Sequence, residues 1–295
     1  DCRFCSIKSV WGRNWRYHSP KRVVDEIEQV VKDYGVGEIH FVDDNISTKI
    51  DRLTAICDEL LRRKVDIKWA TPNGIAIWTL TKEALNKMKS SGCYRLTFGI
   101  ETACEETRKY IRKQHSTLEK MNEIINYANK LGIWTISTFI LGFPYETKEN
   151  IEETVQFTLK SDLDFAFFFL PMPFPNTDLT QDYIQLGFLG DLRPEEWGAF
   201  LSGTHGVATS YFTVDQLRKI QKDAYFRFIR SRFFKFLNPL RIFSKIKSYE
   251  DFRYVCKLGR KGFKYIFDTF KHKKDVIYRV GNLGKNIQKE KLSIS

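Results

Sequence analysis

The chain has 295 residues, with 48 Lys/Arg against 36 Asp/Glu and a formal net charge of +12. Its 42% hydrophobic and 28% charged residues describe a globular protein able to bury a sizeable core, and they exclude a disordered, collagen-like or low-complexity chain. The charge is divided: Tyr211 to Ser295 holds 22 Lys/Arg and 7 Asp/Glu, a net of +15, and the body before it has a net of −3. No run of about 18 to 20 apolar residues is present to form a spanning helix, and no secretory leader pattern is visible. Residue 1 is Asp, with Cys2 and Cys5 following at once and no initiator Met, the pattern expected of an N-terminally truncated fragment. Six irregularly placed cysteines are too few for a disulfide framework, so a reducing, cytoplasmic setting is expected. There Cys57, Cys93, Cys104 and Cys256 would serve as small buried apolar side chains.

From Ser19 to Pro171 two periods alternate. Ser19-Pro20 reads as cap and first-turn proline of a helix whose stripe is Val23, Val24, Ile27, Val30 and Val31. The run Ile39 to Val42 then reads as a strand ending in Asp43-Asp44-Asn45. Leu53, Ile56, Leu60 and Leu61 mark the next helix and Ile67 to Thr71 the next strand. Ala84, Leu85 and Met88 precede a strand over Tyr94 to Ile100 that ends in Glu101-Thr102. Ser116-x-x-Glu119 fits a capping box for the helix carrying Ile124, Ile125 and Ala128, followed by a strand over Ile133 to Leu141. Glu149 to Leu159 is a further helix and Phe165 to Leu170 a fifth strand. Strands alternating with helices predict βα units and a parallel sheet, in which polar residues just past strand C-termini do the chemistry. Beyond Pro171 an irregular stretch is expected to about Thr213, where Thr213-x-x-Gln216 opens a long helix through Arg230.

Cys2-Arg3-Phe4-Cys5 has a spacing that lets two thiolates converge on one metal or cluster. By itself it fits half of a zinc site, a redox pair or neither. No second such pair completes a tetrahedral zinc site, and the polar, tryptophan-bearing stretch after it does not suit a thioredoxin-like motif. Taken with Gly99-Ile100-Glu101-Thr102 after one strand and Ile140-Leu141-Gly142-Phe143-Pro144-Tyr145-Glu146-Thr147 after the next, it resembles the radical S-adenosylmethionine (radical SAM) superfamily. That family's motif is Cys-x-x-x-Cys-x-x-Cys. Cys2 and Cys5 match its second and third cysteines, and the first would lie four residues before Cys2. The resemblance covers about residues 1 to 190. Asp43-Asp44-Asn45 and Pro173-Phe174-Pro175-Asn176-Thr177 resemble the class whose barrel follows a cobalamin-binding domain. Asn176 stands where that class usually has Gly, and Thr138 stands where many relatives have Gly.

The resemblance implies an α/β fold, a partial (β/α)6 TIM-like barrel lacking its first strand. It would occupy residues 1–190, with an irregular linker and a basic, aromatic-rich, mainly helical region over 191–295. It implies a [4Fe–4S] cluster held by Cys2 and Cys5 with S-adenosylmethionine on the open iron, reductive cleavage to a 5′-deoxyadenosyl radical, and a cobalamin bound upstream. The reaction expected is methylation or rearrangement of a lipid, pigment, envelope or natural-product substrate, with electrons from a ferredoxin- or flavodoxin-type protein. Phe4 would pack near the adenine, Asp44, Asn45 and Glu101 would meet the amine or ribose, Gly142 would let backbone approach the adenine, and Glu146 would orient its loop or cap a helix. The bland alternatives are helix capping for Asp43 to Asn45 and, for Glu146, a turn followed by an N-cap at Thr147. Arg112-Lys113 could reach the cofactor's carboxylate, with a solvated helix end favoured over that. Two other functions compete: a methylthiotransferase acting on tRNA or a ribosomal protein, and a non-enzymatic metal- or cluster-holding module. The +15 segment, interleaved with Phe and Tyr, admits nucleic-acid contact, attachment to the anionic inner membrane face, or a helical extension with packed aromatics, the last being favoured and nucleic acid disfavoured.

Overall fold

The computed structural model describes residues 2–190 and 206–236, together with residues 245, 246, 249, 252, 253, 256 and 260. Residues 191–205 of the expected linker and most of the basic aromatic segment fall outside these. The chain divides into two compact units, Asp1–Lys245 and Ile246–Ser295. In the second, Tyr249, Phe252, Arg253, Cys256 and Arg260 are helical and exposed, so Cys256 is not the buried apolar residue expected of it. Cys57, Cys93 and Cys104 are buried.

In the first unit the elements are α1 (Ile7–Trp11), α2 (Pro20–Tyr34), β1 (Glu38–His40), α3 (Ile50–Arg62), β2 (Lys68–Ile75), a 3-10 turn (Ile77–Thr79), α4 (Lys82–Ser90), β3 (Cys93–Glu101), α5 (Glu105–Tyr110), α6 (Leu118–Lys130), β4 (Trp134–Ile140), α7 (Lys148–Lys160), β5 (Phe165–Phe169), α8 (Asp178–Gln185) and α9 (Val214–Phe236). All neighbouring strands pair in parallel in the order β1-β2-β3-β4-β5. The sheet does not close among the described residues. A sequential order with right-handed crossovers puts the crossover helices on one face. Accordingly Leu96, Phe98 and Ile100 of β3, Phe139 of β4 and Phe168 of β5 are buried in one core with Ile124, Val155, Leu217 and Phe228 of the helices. Side chains alternate along a strand, so Glu101, Thr138, Phe167 and Phe169 belong to the other face. Phe167 and Phe169 stack there, centroids 6.5 Å apart, and remain about half exposed.

Local signals set the ends. Ser19 caps α2 by accepting from Arg22 N, with Pro20 in the first turn. The cap of α6 is Thr117 rather than Ser116, accepting from Lys120 N. Two helices go unassigned from the sequence, α5 in the stretch between Thr102 and Ser116 and α8 in the stretch after Pro171 expected to be irregular. α5 is a turn and a half, too short for a readable stripe. α8 begins at a Thr177 cap and buries Leu179 and Tyr183 in a second apolar cluster with Ile111 and Phe143, against which Phe4 and Tyr110 pack.

The basic segment as far as Lys245 belongs to the first unit. Thr213 and Gln216 form a reciprocal capping box, Gln216 N donating to Thr213 Oγ1 (3.3 Å) and Thr213 N to Gln216 Oε1 (2.8 Å). α9 then covers the edge of the sheet. Phe168 N donates to Tyr225 Oη (3.0 Å) and Phe168 O accepts from Gln221 Nε2 (2.7 Å), so backbone groups that would template aggregation are satisfied. Arg232, 2% exposed, donates to the carbonyls of Thr158 (2.6 Å), Ser161 (2.9 Å) and Leu163 (2.6 Å). It thereby serves the orphan carbonyls at the C-terminus of α7. Arg227 pairs with Glu152 (2.6 Å), Lys235 with Asp162 (3.0 Å) and the buried Lys245 with the buried Asp164. These cations and aromatics pack on the barrel, which is the helical-extension reading of this part of the segment.

Candidate functional site

The Cys-x-x-Cys segment is a tight turn. Cys5 N donates to Cys2 O at 3.1 Å, an i to i+3 bond that brings the two residues close together. Both cysteines are half-buried. Burial pushes the Cys2 thiol up, while the ammonium of Lys113 pulls it back down and Cys5 and Glu101 add to the rise. Cys2, Cys5, Glu101 and Lys113 therefore lie within one electrostatic neighbourhood, at the C-terminal end of β3.

Glu101 is held there in an unfavourable backbone. Its φ is +69°, and Thr102 N donates across it to Ile100 O at 3.0 Å. This is a γ-turn of the rare positive-φ kind, costing about 1 to 3 kcal/mol for a side chain other than Gly. The turn interrupts the β3–β4 register between Gly99 and Glu101 and swings the carboxylate back over Gly99, where a Cβ would lie 2.8 Å from Glu101 Oε1 and 3.3 Å from Lys113 Nζ. Glu101 Oε1 accepts from Lys113 Nζ at 2.9 Å, and Oε2 from Thr138 Oγ1 at 3.4 Å. Lys113 is 8% exposed and its ammonium stands 5.6 Å from the centre of the Trp78 ring. It is not the solvated helix end that its neighbourhood of charged residues suggests. Arg112 is, half exposed and paired with Asp178 (2.7 Å).

The loop after β4 is built around Glu146. Its carboxylate, 2% exposed, accepts from Gly142 N (2.7 Å), Phe143 N (3.0 Å) and Thr107 Oγ1 (3.1 Å). Burial pushes its pKa up to about 7, against the pull of those donors. The following helix is capped by Thr147 in a reciprocal pairing with Asn150, so Glu146 organises the loop and leaves the cap to its neighbour. Gly142 has φ +93°, and a Cβ there would lie 2.4 Å from Leu217 Cδ2 of α9, which is why glycine is needed at that position. The Phe4 ring lies 5.9 Å from that of Phe143.

The Cys turn thus meets the ends of β3 and β4, and Cys2, Phe4, Cys5, Glu101, Gly142 and Glu146 gather in one region. Asp44 and Asn45 follow β1 instead. Asp44 is exposed, and Asn45 Oδ1 accepts from Ser47 N (3.1 Å), Ser47 Oγ (2.9 Å) and Ala76 N (3.4 Å), tying this loop to the end of β2. Neither caps α3, whose first residue follows Lys49. Sequence reasoning weighs Lys113 as a contact for the cofactor carboxylate and sets it aside for a solvated helix end, and it passes over Arg3, Tyr110 and Asp182. Arg3 was the one within reach, because it stands between the two cysteines.

Residues 1–158 match the family model "Radical SAM superfamily", and the chain belongs to that superfamily. It is 31% identical over 228 residues to an uncharacterized methyltransferase of Pyrococcus horikoshii, covering 77% of this chain and 48% of that protein. It is 33% identical over 203 residues to the cytidylyl-2-hydroxyethylphosphonate methyltransferase of Streptomyces wedmorensis, covering 66% and 37%. The fold resembles that of the radical S-adenosylmethionine methyltransferase TsrM from Kitasatospora setae, solved with cobalamin and a [4Fe–4S] cluster bound, with TM-score 0.58 and 18% identity over 65% of this chain and 38% of that one. The chain spans less than half the length of these relatives. Members of the superfamily use a [4Fe–4S] cluster and S-adenosylmethionine. Two soft thiol donors on one turn, beside a buried cation, suit two positions on such a cluster. No group of three or more His, Cys, Asp or Glu able to hold a metal ion occurs among the described residues, and no helix among them is long and apolar enough to cross a membrane.

Proposed function

We propose that this chain carries the radical SAM portion of a methyl-transferring enzyme, in which Cys2 and Cys5 are two of three cluster ligands. When bound, cluster and cofactor supply one-electron cleavage of a sulfonium. The chain's own residues bind and orient. The observation that carries this reading is the strained Glu101 carboxylate, paired with buried Lys113, beside the cysteine turn. A carboxylate and an ammonium 2.9 Å apart carry the charges that complement the α-ammonium and α-carboxylate of a methionine moiety. Strain of this kind persists where the surrounding structure enforces it and serves a site. Gly142 and Phe143, with Phe4 against them, offer backbone and ring surface for an adenine. The Glu146 carboxylate holds that loop in place through the Gly142 and Phe143 amides.

The acceptor reading follows from the free face of the sheet. Charged groups lie toward β3, whereas Ile136 and Ile140 of β4 and the stacked Phe167 and Phe169 of β5 make an apolar wall. That wall favours a flat, largely apolar ring as substrate, as in a pigment or an aromatic natural product. The names of the two relatives favour methyl transfer, and the cobalamin in TsrM favours a cobalamin-assisted route. To test this, the cluster-loaded full-length protein is incubated anaerobically with reductant, S-adenosylmethionine and a panel of ring acceptors, with and without cobalamin. Release of S-adenosylhomocysteine that requires cobalamin and acceptor is the expected result. Release of 5′-deoxyadenosine alone would assign the site to rearrangement or ring formation.

A further inference from the structure

The residue between the two cysteines, Arg3, is committed to a partner far along the chain. Its guanidinium makes a two-point contact with Asp182 of α8, Nε to Oδ2 at 2.6 Å and Nη2 to Oδ1 at 2.9 Å. The side chains are 25% and 8% exposed. The same carboxylate accepts from Tyr110 Oη at 2.5 Å, and the Arg3 guanidinium stacks over the Tyr110 ring, 4.9 Å from its centre. Backbone bonds run in parallel: Arg3 N donates to Ile111 O at 3.2 Å, and Leu179 N donates to Arg3 O at 3.0 Å. The turn is therefore gripped through its main chain and its side chain, from α5 on one side and α8 on the other.

The anchor for this grip is itself rigid. α8 starts at the Thr177 cap, and the neighbours of Asp182, Leu179 and Tyr183, are fully buried. Asp182 cannot follow Arg3 if the turn moves. A fork-to-carboxylate contact is also geometrically exacting in a way that a lone ammonium contact is not. Helix packing alone does not need an arginine here, since a shorter apolar residue at position 3 would leave Asp182 bonded to Tyr110.

Resting on the cluster reading proposed above, we propose that Asp182 is a positioning residue for the cysteine turn: acting through Arg3 and steadied by Tyr110, it fixes the separation and orientation at which Cys2 and Cys5 are presented. Because α8 directly follows the loop after β5, displacement of that loop is transmitted to the cysteine turn.

The test uses the full-length protein with Asp182→Asn, Asp182→Glu, Arg3→Lys and Tyr110→Phe. In the cluster-free state, the alkylation rates of Cys2 and Cys5 by iodoacetamide, read by mass spectrometry, should rise about tenfold in Asp182→Asn, as expected for loss of one charge-assisted pair. Circular dichroism should show the parent fold. Tyr110→Phe should have a smaller effect than Arg3→Lys. After anaerobic reconstitution, Asp182→Asn should hold less iron per chain and give a shifted midpoint potential and EPR spectrum, with Asp182→Glu restoring both in part. Unchanged alkylation together with an unchanged potential in Asp182→Asn would overturn the positioning role. Changed alkylation in a protein whose parent takes up no iron would leave the grip standing and overturn the cluster reading. If Asp182→Asn fails to fold, Arg3→Lys decides the matter by the same two readouts.

Discussion

The pair Glu101→Gly and Lys113→Met separates strain kept for function from strain needed for folding. Glu101 sits at φ +69°, which costs about 1 to 3 kcal/mol that glycine would not incur. Lys113→Met alone leaves the Glu101 carboxylate, 12% exposed, with only the Thr138 hydroxyl at 3.4 Å. Removing one partner of a buried pair costs about 3 to 5 kcal/mol, while replacing both is neutral or stabilises by about 1 to 4 kcal/mol. The double variant should therefore be more stable than Lys113→Met alone and within a few kcal/mol of the parent, relaxation of the turn offsetting the volume that glycine leaves unfilled. Urea unfolding of the three variants measures this. Equilibrium dialysis with S-adenosylmethionine, on the cluster-loaded full-length protein, measures the other side, and there the double variant should lose at least tenfold in affinity. The reasoning is refuted if the double variant unfolds several kcal/mol more easily than the parent yet binds S-adenosylmethionine as tightly, because the γ-turn would then serve the fold and not the site.

Glu146 gives a pH dependence with a definite sign. Its pKa is about 7 in the folded chain against an ordinary 4.5, so the folded state binds the extra proton and stability falls as pH rises from about 4.5 to about 7. The full effect approaches about 3 kcal/mol. Glu146→Gln should flatten that part of the curve in melts at pH 5 and pH 8, and an unchanged slope would contradict the assignment. Gly142→Ala puts a methyl 2.4 Å from Leu217 Cδ2 at φ +93° and should cost about 2 kcal/mol or more. Adding Leu217→Ala should recover part of the loss in a double-mutant cycle, and strict additivity would count against the clash. Arg232→Met strips the donors from three buried carbonyls and should destabilise by about 3 kcal/mol in urea melts. An effect below 1 kcal/mol would mean that α9 is held by its apolar face alone.

Much of the architecture was legible in the sequence because burial writes a period. The five parallel strands fell on the expected apolar runs, though β1 is Glu38–His40 and not Ile39 to Val42, and β2 runs past Thr71 to Ile75. Ser19-Pro20 and Thr213-Gln216 marked helix starts by side-chain chemistry that operates locally. The helices α5 and α8 were not legible. α5 is shorter than two turns, and α8 is recruited by a second apolar cluster whose members, Ile111, Phe143 and Tyr183, are far apart in sequence. In the site, Cys2, Cys5 and Glu101 stood out because thiolates and a carboxylate past a strand end have chemical reasons to be there. Lys113 looked like one more charge at a helix end. Only the γ-turn at Glu101, which no pattern announces, folds the carboxylate back to meet it. Asp182 and Tyr110 were invisible because their relevance comes from a contact spanning 179 residues. The basic segment shows the same limit: its charge count suggested a surface, while Arg227, Arg232, Lys235 and Lys245 find partners on the barrel that composition cannot reveal.

Anaerobic iron–sulfur reconstitution of the full-length protein, followed by dithionite and S-adenosylmethionine, tests the central claim that the cysteine turn is the seat of radical SAM chemistry. The parent should bind about four irons per chain and cleave the cofactor to 5′-deoxyadenosine or S-adenosylhomocysteine, and Cys2→Ala with Cys5→Ala should do neither. A parent protein that takes up no iron, or a double variant that keeps both iron and cleavage, would contradict it.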